Sequence, residues 1–440
     1  MRKVLVLGAG RIARPCIQYL LVNCRYEVFV SDICEKNIDR CIARHPNGHK
    51  IVGDSIANLK DTIKQVSPEV LICLLPVTLI GKVTRACVDS CVHFISPSYL
   101  KPEVRELEAE AKNNGVTLLC ELGLDPGIDH MSASRTIRAI HAQNGRILSF
   151  KSWCGALPAP KYNNNPIGYK LSWAPTSLIR ASRREAKIIR NGRTIVWPDG
   201  ETYNHASLID IQGMGWFEEY ANADSTPYVQ YYGIPEAKDV YRGTIRNIGW
   251  CEMICKMQNL GLFDEGEHDF SGRTYADVTR ELIGAEKETN LKDALCAFLD
   301  LEPYSAVILK LEWLGLFEER LVPINRGTMF QFVECLYNEK LVFAEEEQDV
   351  SIMEHRYLIE YSDRKVLKRS TLVDYGIPGS DFSVARLTGL PPAMGAKLIL
   401  DKKIKQSGIL TPTMPEVYEP ELTALEKMGI TFKETETLVE

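Results

Sequence analysis

The chain has 440 residues. This length exceeds what a single hydrophobic core usually accommodates, so we predict two or three packed domains. It is 45% hydrophobic and 25% charged, and its net charge of −6 comes from 52 basic and 58 acidic residues. This balance excludes a broad basic surface for nucleic acid and favours small molecules as partners.

The N-terminal run and the cysteines indicate a cytoplasmic protein. The chain starts with basic residues and an apolar stretch, but Gly8 and Gly10 interrupt that stretch early and no signal-peptide cleavage pattern follows. No segment approaches the ~18 uninterrupted apolar residues of a membrane span. The 13 cysteines are an odd number without a C-x-x-C pair, so we expect buried free thiols in a reducing compartment and no metal.

Short apolar runs alternate with helical patterns over the first 124 residues. We predict strands over 3–10, 26–33, 69–76, 92–99 and 116–123, separated by helices over 11–23, 56–66, 78–91 and 101–114. Because these strands are apolar almost throughout, they should form a parallel sheet with helices on both faces. The predicted fold class is α/β, with a doubly wound parallel sheet of the Rossmann type.

The pattern changes after residue 122. Longer strands begin with ILSFKSWCGAL, and residues 274–318 and 328–344 read as mostly helical. Residues 352–375 read as a two-stranded hairpin, and 386–405 as a helix that is kinked or started at Pro391 and Pro392. No long linker or repeat interrupts the chain, so the domains should pack closely.

The stretch GAGRIA at 8–13 fits the dinucleotide-binding pattern G-x-G-x-x-[G/A] between a predicted strand and a predicted helix. Gly8 allows the tight turn, Gly10 lets the backbone approach a pyrophosphate, and the small Ala13 allows close helix packing. The helix N-terminus would direct free N–H groups at the phosphate. An ordinary tight turn is the alternative interpretation.

The choice between NAD and NADP depends on Asp32, which ends the next strand 22 residues after Gly10. A carboxylate there would accept a hydrogen bond from a ribose 2′-hydroxyl but repel a 2′-phosphate. No arginine follows it directly in the sequence, although Arg11 could weaken the preference. We expect NAD, with NADP as the less favoured cofactor.

Two later strand ends, CLLPVT at 73–78 and SPSY at 96–99, should meet the same nucleotide. Ligands of open α/β sheets bind outside the carboxyl ends of the strands. Pro76 and either Ser98 or Tyr99 are therefore predicted to line the crevice. The same residues could equally serve only to end their strands.

The stretch CELGLDPGIDH at 120–130 concentrates acidic and imidazole groups, at Glu121, Asp125, Asp129 and His130. They could hold a metal ion or act as an acid/base set. A metal-dependent hydrolase is disfavoured because no H-x-x-x-H pattern or second histidine lies nearby and Pro126 bends the chain. Asp129 and His130 then fall at the start of the following helix, where an acid suits the helix dipole.

Eight stretches between residue 3 and about residue 430 are characteristic in combination: GAGRIARP, SPSYLKPEVRELE, ELGLDPGIDHM, SWCGALPAP, NPIGYKLSW, RGTIR, TLVDYG and GLPPAMGAKLIL. Together they resemble the saccharopine dehydrogenase family of the L-glutamate-forming type, also called saccharopine reductase. The resemblance implies an enzyme of lysine metabolism that interconverts saccharopine with glutamate and 2-aminoadipate 6-semialdehyde. Hydride would pass between a nicotinamide and the C–N bond of saccharopine.

The resemblance also implies a domain plan. A Rossmann domain would span residues 1–124, with the segment from about 386 to 440 packing back on it. An α/β substrate and dimerisation domain would span 125–385, with a helical insertion at about 270–345. A homodimer is expected, acting on a small amino-acid substrate, with no nucleic-acid or membrane partner.

Site residues follow from the motifs and the resemblance. Cofactor contacts are expected at Gly8, Gly10, Arg11, Ile12, Asp32, Asp54, Ser55, Leu75, Pro76, Leu124, Asp125 and Pro126. Substrate contacts are expected at Ser98, Tyr99, Asp125, Thr244 and Arg246. The catalytic candidates are Asp125, Tyr99 and Cys154.

Imine reduction requires a placed hydride, a proton donor for nitrogen and cations for the substrate carboxylates. Arg246 carries the planar fork that suits a carboxylate, and Thr244 could add a hydrogen bond. Asp125 could balance the positive nitrogen, or relay a proton if burial raises its pKa. Tyr99 and Cys154 are candidates because relatives place equivalents near the reacting centre, and Cys154 could equally serve in packing.

One position departs from the family. The substrate domain usually reads Y-P-N-R-D-S-T, whereas this chain has YANADST at 220–226, with Ala223 at the arginine position. A methyl group cannot replace a bidentate clamp on a carboxylate. Either another cation such as Arg180 or Arg183 has taken over, or the substrate is a related opine-like or N-substituted amino acid. Arg180 and Arg183 could equally be exposed helix residues without a role in the site. For the whole protein, a non-catalytic NAD-sensing function is a further alternative.

Overall fold

The computed structural model describes residues 1–173, 175–181 and 183–439, and its N-terminal part alternates strands with helices. The strands are β1 (Lys3–Leu7), β2 (Glu27–Asp32), β3 (Gly48–Val52), β4 (Val70–Cys73), β5 (His93–Ile95) and β6 (Thr117–Leu119). The helices are α1 (Ala13–Gln18, continued by a π-helical turn over Tyr19–Asn23), α2 (Glu35–Ile42), α3 (Leu59–Val66), α4 (Ile80–Asp89), α5 (Pro102–Arg105) and α6 (Glu108–Asn113). Sequence periodicity missed β3, because its partly exposed side chains lack the continuous apolar run of its neighbours.

The middle of the chain builds a second sheet with few helices. Its elements are α7 (Ile128–Ala142), β7 (Arg146–Pro158), α8 (Pro175–Ala181), β8 (Ala186–Arg190), β9 (Arg193–Trp197), β10 (Ser207–Ile211), β11 (Gly215–Ala221), α9 (Tyr228–Tyr232) and β12 (Asp239–Arg246). Asp129 and His130 lie in the first turn of α7, as expected.

A mainly helical region follows. Its elements are α10 (Trp250–Asn259), β13 (Glu267–Asp269), α11 (Tyr275–Ile283), α12 (Leu291–Leu299), α13 (Ala306–Leu314), β14 (Arg326–Thr328) and α14 (Met329–Lys340). Helices α11 and α14 begin with capping boxes, in which Thr274 and Thr328 accept hydrogen bonds from the N3 backbone amides. In the described part of the chain, no helix combines the length and apolar character needed to cross a membrane.

The last hundred residues return to both sheets. They form β15 (Asp349–Glu360), β16 (Lys365–Tyr375), α15 (Ser383–Leu400), β17 (Gly408–Leu410), α16 (Pro415–Lys427) and β18 (Phe432–Val439). Helix α15 continues through Pro391 and Pro392 instead of starting there, and both prolines are buried. Its Gly389 lies against α1, so closely that a Cβ would fall 2.5 Å from the carbonyl oxygen of Ile12.

The first sheet has the order β17-β6-β5-β4-β1-β2-β3 and is parallel at each pairing. The strand order reverses between β1 and β4, which makes the carboxyl edge there the expected ligand crevice. Strand β1 is apolar and fully buried from Val4 to Leu7. The sheet therefore matches the predicted doubly wound fold class.

The second sheet runs in the order β10-β11-β12-β7-β15-β16-β18, with β8 and β9 attached beside β12. Strands β12 and β7 are parallel, and Thr244 pairs with Cys154. Because side chains alternate along a strand, Arg242, Thr244 and Arg246 share one face of the sheet with Cys154. Helix α7 packs against this face, and His130 on α7 lies near Phe150 of β7 through their shared neighbour Tyr232.

The C-terminal segment is divided between the sheets. Strand β17 extends the first sheet beside β6, whereas β18 pairs antiparallel with β16 in the second sheet. The expectation that the whole segment 386–440 packs on the Rossmann domain is therefore wrong for its last strand. The sequence of β18, FKETETLV, alternates in polarity and gives no sign of which sheet it would join.

Candidate active site

The glycine turn after β1 forms an open cradle. Gly8 has φ +96°, and a Cβ there would lie 3.1 Å from the backbone oxygen of Leu74, so the turn packs tightly on the end of β4. At Gly10, by contrast, a Cβ would meet nothing within 4 Å. The backbone of Gly10 is thus accessible from outside, as the close approach of a pyrophosphate requires.

Asp32 is held beside this cradle by two backbone amides. Its two carboxylate oxygens accept hydrogen bonds from Ala9 N at 2.7 Å and Cys34 N at 2.8 Å. Arg40 on α2 donates from Nη2 to the carbonyl oxygen of Gly10 at 3.0 Å. The sequence analysis found no arginine directly after Asp32 and did not predict a role for Arg40. Arg40 comes eight residues after Asp32, and it reaches the glycine turn only because the second turn of α2 directs its side chain there.

The remaining residues expected at the cofactor lie along the same carboxyl edge. Arg11 reaches across to the second domain, where its Nη1 donates to the carbonyl oxygen of Leu171 at 2.7 Å. Burial, followed by repulsion from Arg40, lowers the pKa of Arg11. The others follow β1, β3 and β4 directly: Ile12, Asp54, Ser55, Leu75 and Pro76.

The turn from the first domain into α7 is tightly folded around Gly127. Gly127 has φ +145°, and a Cβ there would fall 2.0 Å from the carbonyl oxygen of Gly123. Gly123 N donates to the carbonyl oxygen of Pro126 at 2.8 Å, which closes a loop that presents Leu124 and Asp125. Only glycine fits at position 127 because any side chain would overlap the opposite backbone.

A buried arginine joins the acids of this turn to β12. Arg242 forms ion pairs with Asp125 and with Asp129, the latter at 2.5 Å, and donates to the hydroxyl of Tyr228 at 2.6 Å. Tyr99 donates to Asp125 at 2.9 Å. The Asp129 side chain is 1% exposed, whereas that of Asp125 is 15% exposed, so Asp125 is the more accessible of the two acids.

The two carboxylates are driven towards different protonation states. Burial raises the pKa of Asp125, against the attraction of Arg242. Burial also opposes ionisation of Asp129, but His130, Arg242 and the N–H of the preceding turn together lower its pKa. Burial raises the pKa of Tyr99 well above its usual value, so it remains a phenol that can donate. Two acids with divergent pKa values are the arrangement that general acid–base chemistry uses.

His130 lies next to the cluster, with its ring nitrogens 3.4 Å from carboxylate oxygens of Asp129 and Glu121. The imidazole Nδ1 of His130 lies 2.7 Å from the hydroxyl of Tyr232, and Nε2 lies 3.4 Å from a carboxylate oxygen of Glu121. Glu121 also accepts a hydrogen bond from Leu100 N at 2.9 Å. Within the described residues, no group of three or more potential ligands is arranged to hold a metal ion.

Arg246 lies deeper on the same face of β12, in an aromatic surrounding. Its guanidinium carbon is 5.1 Å from the ring centre of Tyr169, 5.9 Å from that of Tyr220 and 5.7 Å from that of Trp250. The Nη1 group of Arg246 donates a hydrogen bond to the carbonyl oxygen of Ile245 at 2.8 Å. No carboxylate within the described residues forms an ion pair with Arg246, so its charge is available to an anionic ligand.

The remaining sequence candidates have less direct roles. Burial, reinforced by the charge of Asp125, raises the pKa of the Cys154 thiol well above its usual value, so Cys154 stays a neutral thiol beside Thr244. Ser98 uses its backbone oxygen to accept from Glu121 N at 3.1 Å, which ties the end of β5 to the turn. Sequence reasoning missed Arg242 and Tyr228, although Arg242 stands two residues before Thr244 on one strand.

The two arginines suggested as replacements for the family arginine at position 223 lie at the end of α8 and just after it. Arg183 donates to both carboxylate oxygens of Asp199 at 3.2 Å and also to the carbonyl oxygen of Phe263, and its side chain is 44% exposed. Arg180 is exposed at the end of α8.

A glycine cradle and a buried acid–arginine cluster meeting at one edge of a parallel sheet define a pyridine-nucleotide-dependent oxidoreductase. Family models described as "Saccharopine dehydrogenase NADP binding domain" and "Saccharopine dehydrogenase C-terminal domain" match residues 4–119 and 123–430. The chain belongs to the saccharopine dehydrogenase family, as the motifs indicated.

Similar proteins include the saccharopine dehydrogenase [NADP(+), L-glutamate-forming] of Saccharomyces cerevisiae, which is 32% identical over 98% of this chain and 99% of its own length. The mitochondrial alpha-aminoadipic semialdehyde synthase of Rattus norvegicus is 31% identical over 99% of this chain, which spans only 48% of that longer protein. The names that state a cofactor state NADP(+), so they favour NADP over the NAD expected from Asp32.

The fold has a close structural counterpart. The apo saccharopine dehydrogenase (L-Glu forming) from S. cerevisiae superposes with a TM-score of 0.89 over 99% of this chain and 100% of that chain, at 31% identity. The homospermidine synthase of Legionella pneumophila, crystallised with NAD, shares the fold with a TM-score of 0.58 at 9% identity.

Proposed function

We propose that this chain is a saccharopine dehydrogenase of the L-glutamate-forming type. The observation that carries the proposal is the cluster of Asp125, Tyr99 and Arg242 beside a dinucleotide cradle, in a chain that resembles named saccharopine dehydrogenases over almost its full length. The reaction would interconvert saccharopine with glutamate and 2-aminoadipate 6-semialdehyde in lysine metabolism.

The side chains divide the work of this reaction. The bound nicotinamide would supply or accept the hydride at the C–N bond. Asp125, whose pKa is raised, exchanges a proton with the substrate nitrogen, while Tyr99 holds the Asp125 carboxyl group in place. Asp129 stays ionised and keeps Arg242 fixed. Arg246 would receive a substrate carboxylate in its aromatic surrounding.

For the cofactor we propose NAD, because the carboxylate of Asp32 lies where a 2′-phosphate would bring further negative charge. NADP is the second candidate. It is supported by the names of the relatives and by Arg40 and Arg11, whose guanidinium groups flank the glycine turn. Gly8, Gly10 and Asp32 would hold the pyrophosphate and ribose of either cofactor.

Asp32→Ala separates these two cofactors. Removing the carboxylate deletes the acceptor for a ribose hydroxyl and the repulsion of a 2′-phosphate, so the ratio of kcat/KM for NAD to that for NADP should fall by about tenfold or more. Steady-state assays with both cofactors measure this ratio. An unchanged ratio would show that Asp32 does not contact the ribose.

The central experiment is NADH and NADPH formation from saccharopine, beside a panel of opine-like and other N-substituted amino acids. The proposal expects saccharopine to have the highest kcat/KM. A preference for another member of the panel would support the alternative motivated by Ala223. Cofactor binding without turnover of any amine would support a non-catalytic NAD-sensing protein.

We also propose a cytoplasmic homodimer. All 13 cysteines are free, which suits a reducing compartment, and the dimer rests on the family resemblance. Analytical ultracentrifugation of the purified chain tests the dimer, and fractionation of the source cells tests the compartment.

A further inference from the structure

The charges of the site leave substrate carboxylates without enough partners. Saccharopine, the substrate of the proposed function, carries three carboxylates. Arg242 already faces two protein carboxylates, and Arg246 has none. An unpaired carboxylate in a largely buried site is costly, so a further cation is needed at the mouth of the crevice.

Strand β8 brings a lysine to the side of β12, the strand that carries Arg242. Ile189 of β8 pairs antiparallel with Val240 of β12, and continuing that register would set Lys187 opposite Arg242. Residues 222–225 are inserted between them. Lys187 N donates to the carbonyl oxygen of Ala223 at 3.0 Å, and on the other side of the inserted loop Asn222 N donates to the carbonyl oxygen of Arg242 at 2.8 Å.

The alternation of side chains fixes the face on which Lys187 lies. Ile188 is buried in the core on one face of β8, so Lys187 and Ile189 belong to the opposite face. Ile189 packs with Val240, on the face of the second sheet that carries Arg242. Lys187 and Arg242 therefore lie on the same face, about two strand spacings apart, or ~10 Å.

The ammonium group of Lys187 is accessible and weakly committed. Its side chain is 36% exposed and pairs with Glu185, which is 50% exposed, at 2.8 Å. An exposed ion pair of this kind contributes little and is readily exchanged. The hydrogen bond that Lys187 donates to Glu185 raises the pKa of Lys187, and the charges of Glu185 and Asp224 add to this effect, so the ammonium stays charged.

We propose that Lys187 binds one of the substrate's carboxylates at the mouth of the site, next to the methyl group of Ala223. This inference rests on the proposed function. The carboxylate exchanges with Glu185 for the ammonium group when substrate enters. Lys187 acts in binding and specificity and takes no part in proton or hydride transfer.

The test is Lys187→Met in the full-length protein, assayed with saccharopine and saturating cofactor. KM for saccharopine should rise about tenfold or more, with kcat within about threefold of the parent value. Lys187→Arg should retain most of the affinity. The matched control is Lys151→Met, because Lys151 is also exposed but lies on the opposite face of the same sheet, paired with Tyr241.

A second variant distinguishes a direct contact from a folding effect. Ala223→Arg in the Lys187→Met background places a guanidinium beside the lost ammonium and should return KM towards the parent value. Unchanged KM in Lys187→Met, or equal effects of Lys187→Met and Lys151→Met, would overturn the inference. Absence of saccharopine turnover by the parent enzyme would instead overturn the proposed function.

Discussion

At the scale of single residues, the defining feature is one arginine shared by two acids. His130 and Arg242 lower the pKa of Asp129 and keep it ionised, and the attraction of Arg242 limits the rise in the pKa of Asp125 without abolishing it. The more exposed acid is thus the one able to change its protonation state, while the buried one stays a fixed counterion. This division assigns proton exchange to Asp125 and positioning to Asp129.

Asp125→Asn should lower kcat by more than about tenfold, because the amide cannot exchange the proton. Arg242 keeps its ion pair with Asp129, so the thermal midpoint should change little. Steady-state kinetics and thermal unfolding of the same preparation check both statements. A variant with the parent kcat would remove Asp125 from the mechanism.

Asp129→Asn should shift the pH dependence of kcat. Asp129 repels the charge on Asp125, and it shares Arg242 with it, so its loss leaves the whole arginine to Asp125. The pKa of Asp125 should fall, and the limb of the kcat–pH profile due to this group should move to lower pH. A profile with reduced height but unmoved limbs would contradict the coupling.

The sequence was sufficient for part of this site. The glycine spacing and the acid at the end of β2 predicted the cradle and Asp32, because both depend on local geometry. Arg242 required knowledge that β12 runs beside β7. Arg242 stands two residues before Thr244 and four before Arg246, so the alternation of a strand would have placed it on the same face. Its two acidic partners could not be predicted in this way, because they lie more than a hundred residues earlier in the chain.

At the scale of elements, the start of α15 is held by an acid from another element. Asp349 on β15 accepts hydrogen bonds from Ser383 N at 2.6 Å and Val384 N at 3.0 Å. The carboxyl group is fully buried, and burial raises its pKa to about 6. The helix that packs on α1 is therefore anchored to the second sheet.

This anchor should make stability depend on pH. Because the folded-state pKa of Asp349 is above its unfolded value of about 3.9, the protonated form favours folding, and this contribution is lost as the pH rises towards and past about 6. Asp349→Asn cannot ionise. Between pH 4 and pH 7 the variant should gain up to about 3 kcal/mol in free energy of unfolding relative to the parent chain.

Urea unfolding at several pH values measures this difference. Asp363→Asn is the control, since Asp363 is 67% exposed at the β15–β16 turn. A parent-minus-variant difference that stays constant from pH 4 to pH 7 would contradict the assignment.

Elements were predictable where a repeating pattern decides them. The buried strands of the first sheet, the β15–β16 hairpin and the helices between 274 and 340 follow from periodicity. Strand β3 and the unbroken course of α15 through two prolines do not, because the first depends on an edge pairing and the second on tertiary packing. Neither the edge pairing of β3 nor the tertiary packing of α15 can be predicted from the residues of that segment alone.

At the scale of the whole molecule, the last strand completes the second sheet. Strand β18 pairs with β16 from Lys365 opposite Val439 to Leu372 opposite Phe432. The ring of Phe432 also stacks on buried His355, with centroids 5.9 Å apart. Strand β18 thus pairs with the outer backbone groups of β16 and also covers the buried side chain of His355.

Deleting residues 431–440 should lower the thermal midpoint and promote aggregation, because β16 would become an uncovered edge. Differential scanning fluorimetry and size-exclusion chromatography measure the two effects. Leu438→Lys is the control, since that side chain is 72% exposed and its replacement preserves the strand. A truncated chain with the parent midpoint and elution volume would show that β18 is dispensable.

The division of the C-terminal segment has a consequence for biosynthesis. Strands β17 and β18 are outer strands of different sheets, and both follow α15 in the chain. Before they are added, β6 and β16 are the outer strands at these two edges, and each has a row of unpaired backbone groups. A nascent chain that has reached only the end of α15 would expose both of these edges at once, so we expect it to self-associate more readily than a chain that includes β17 and β18.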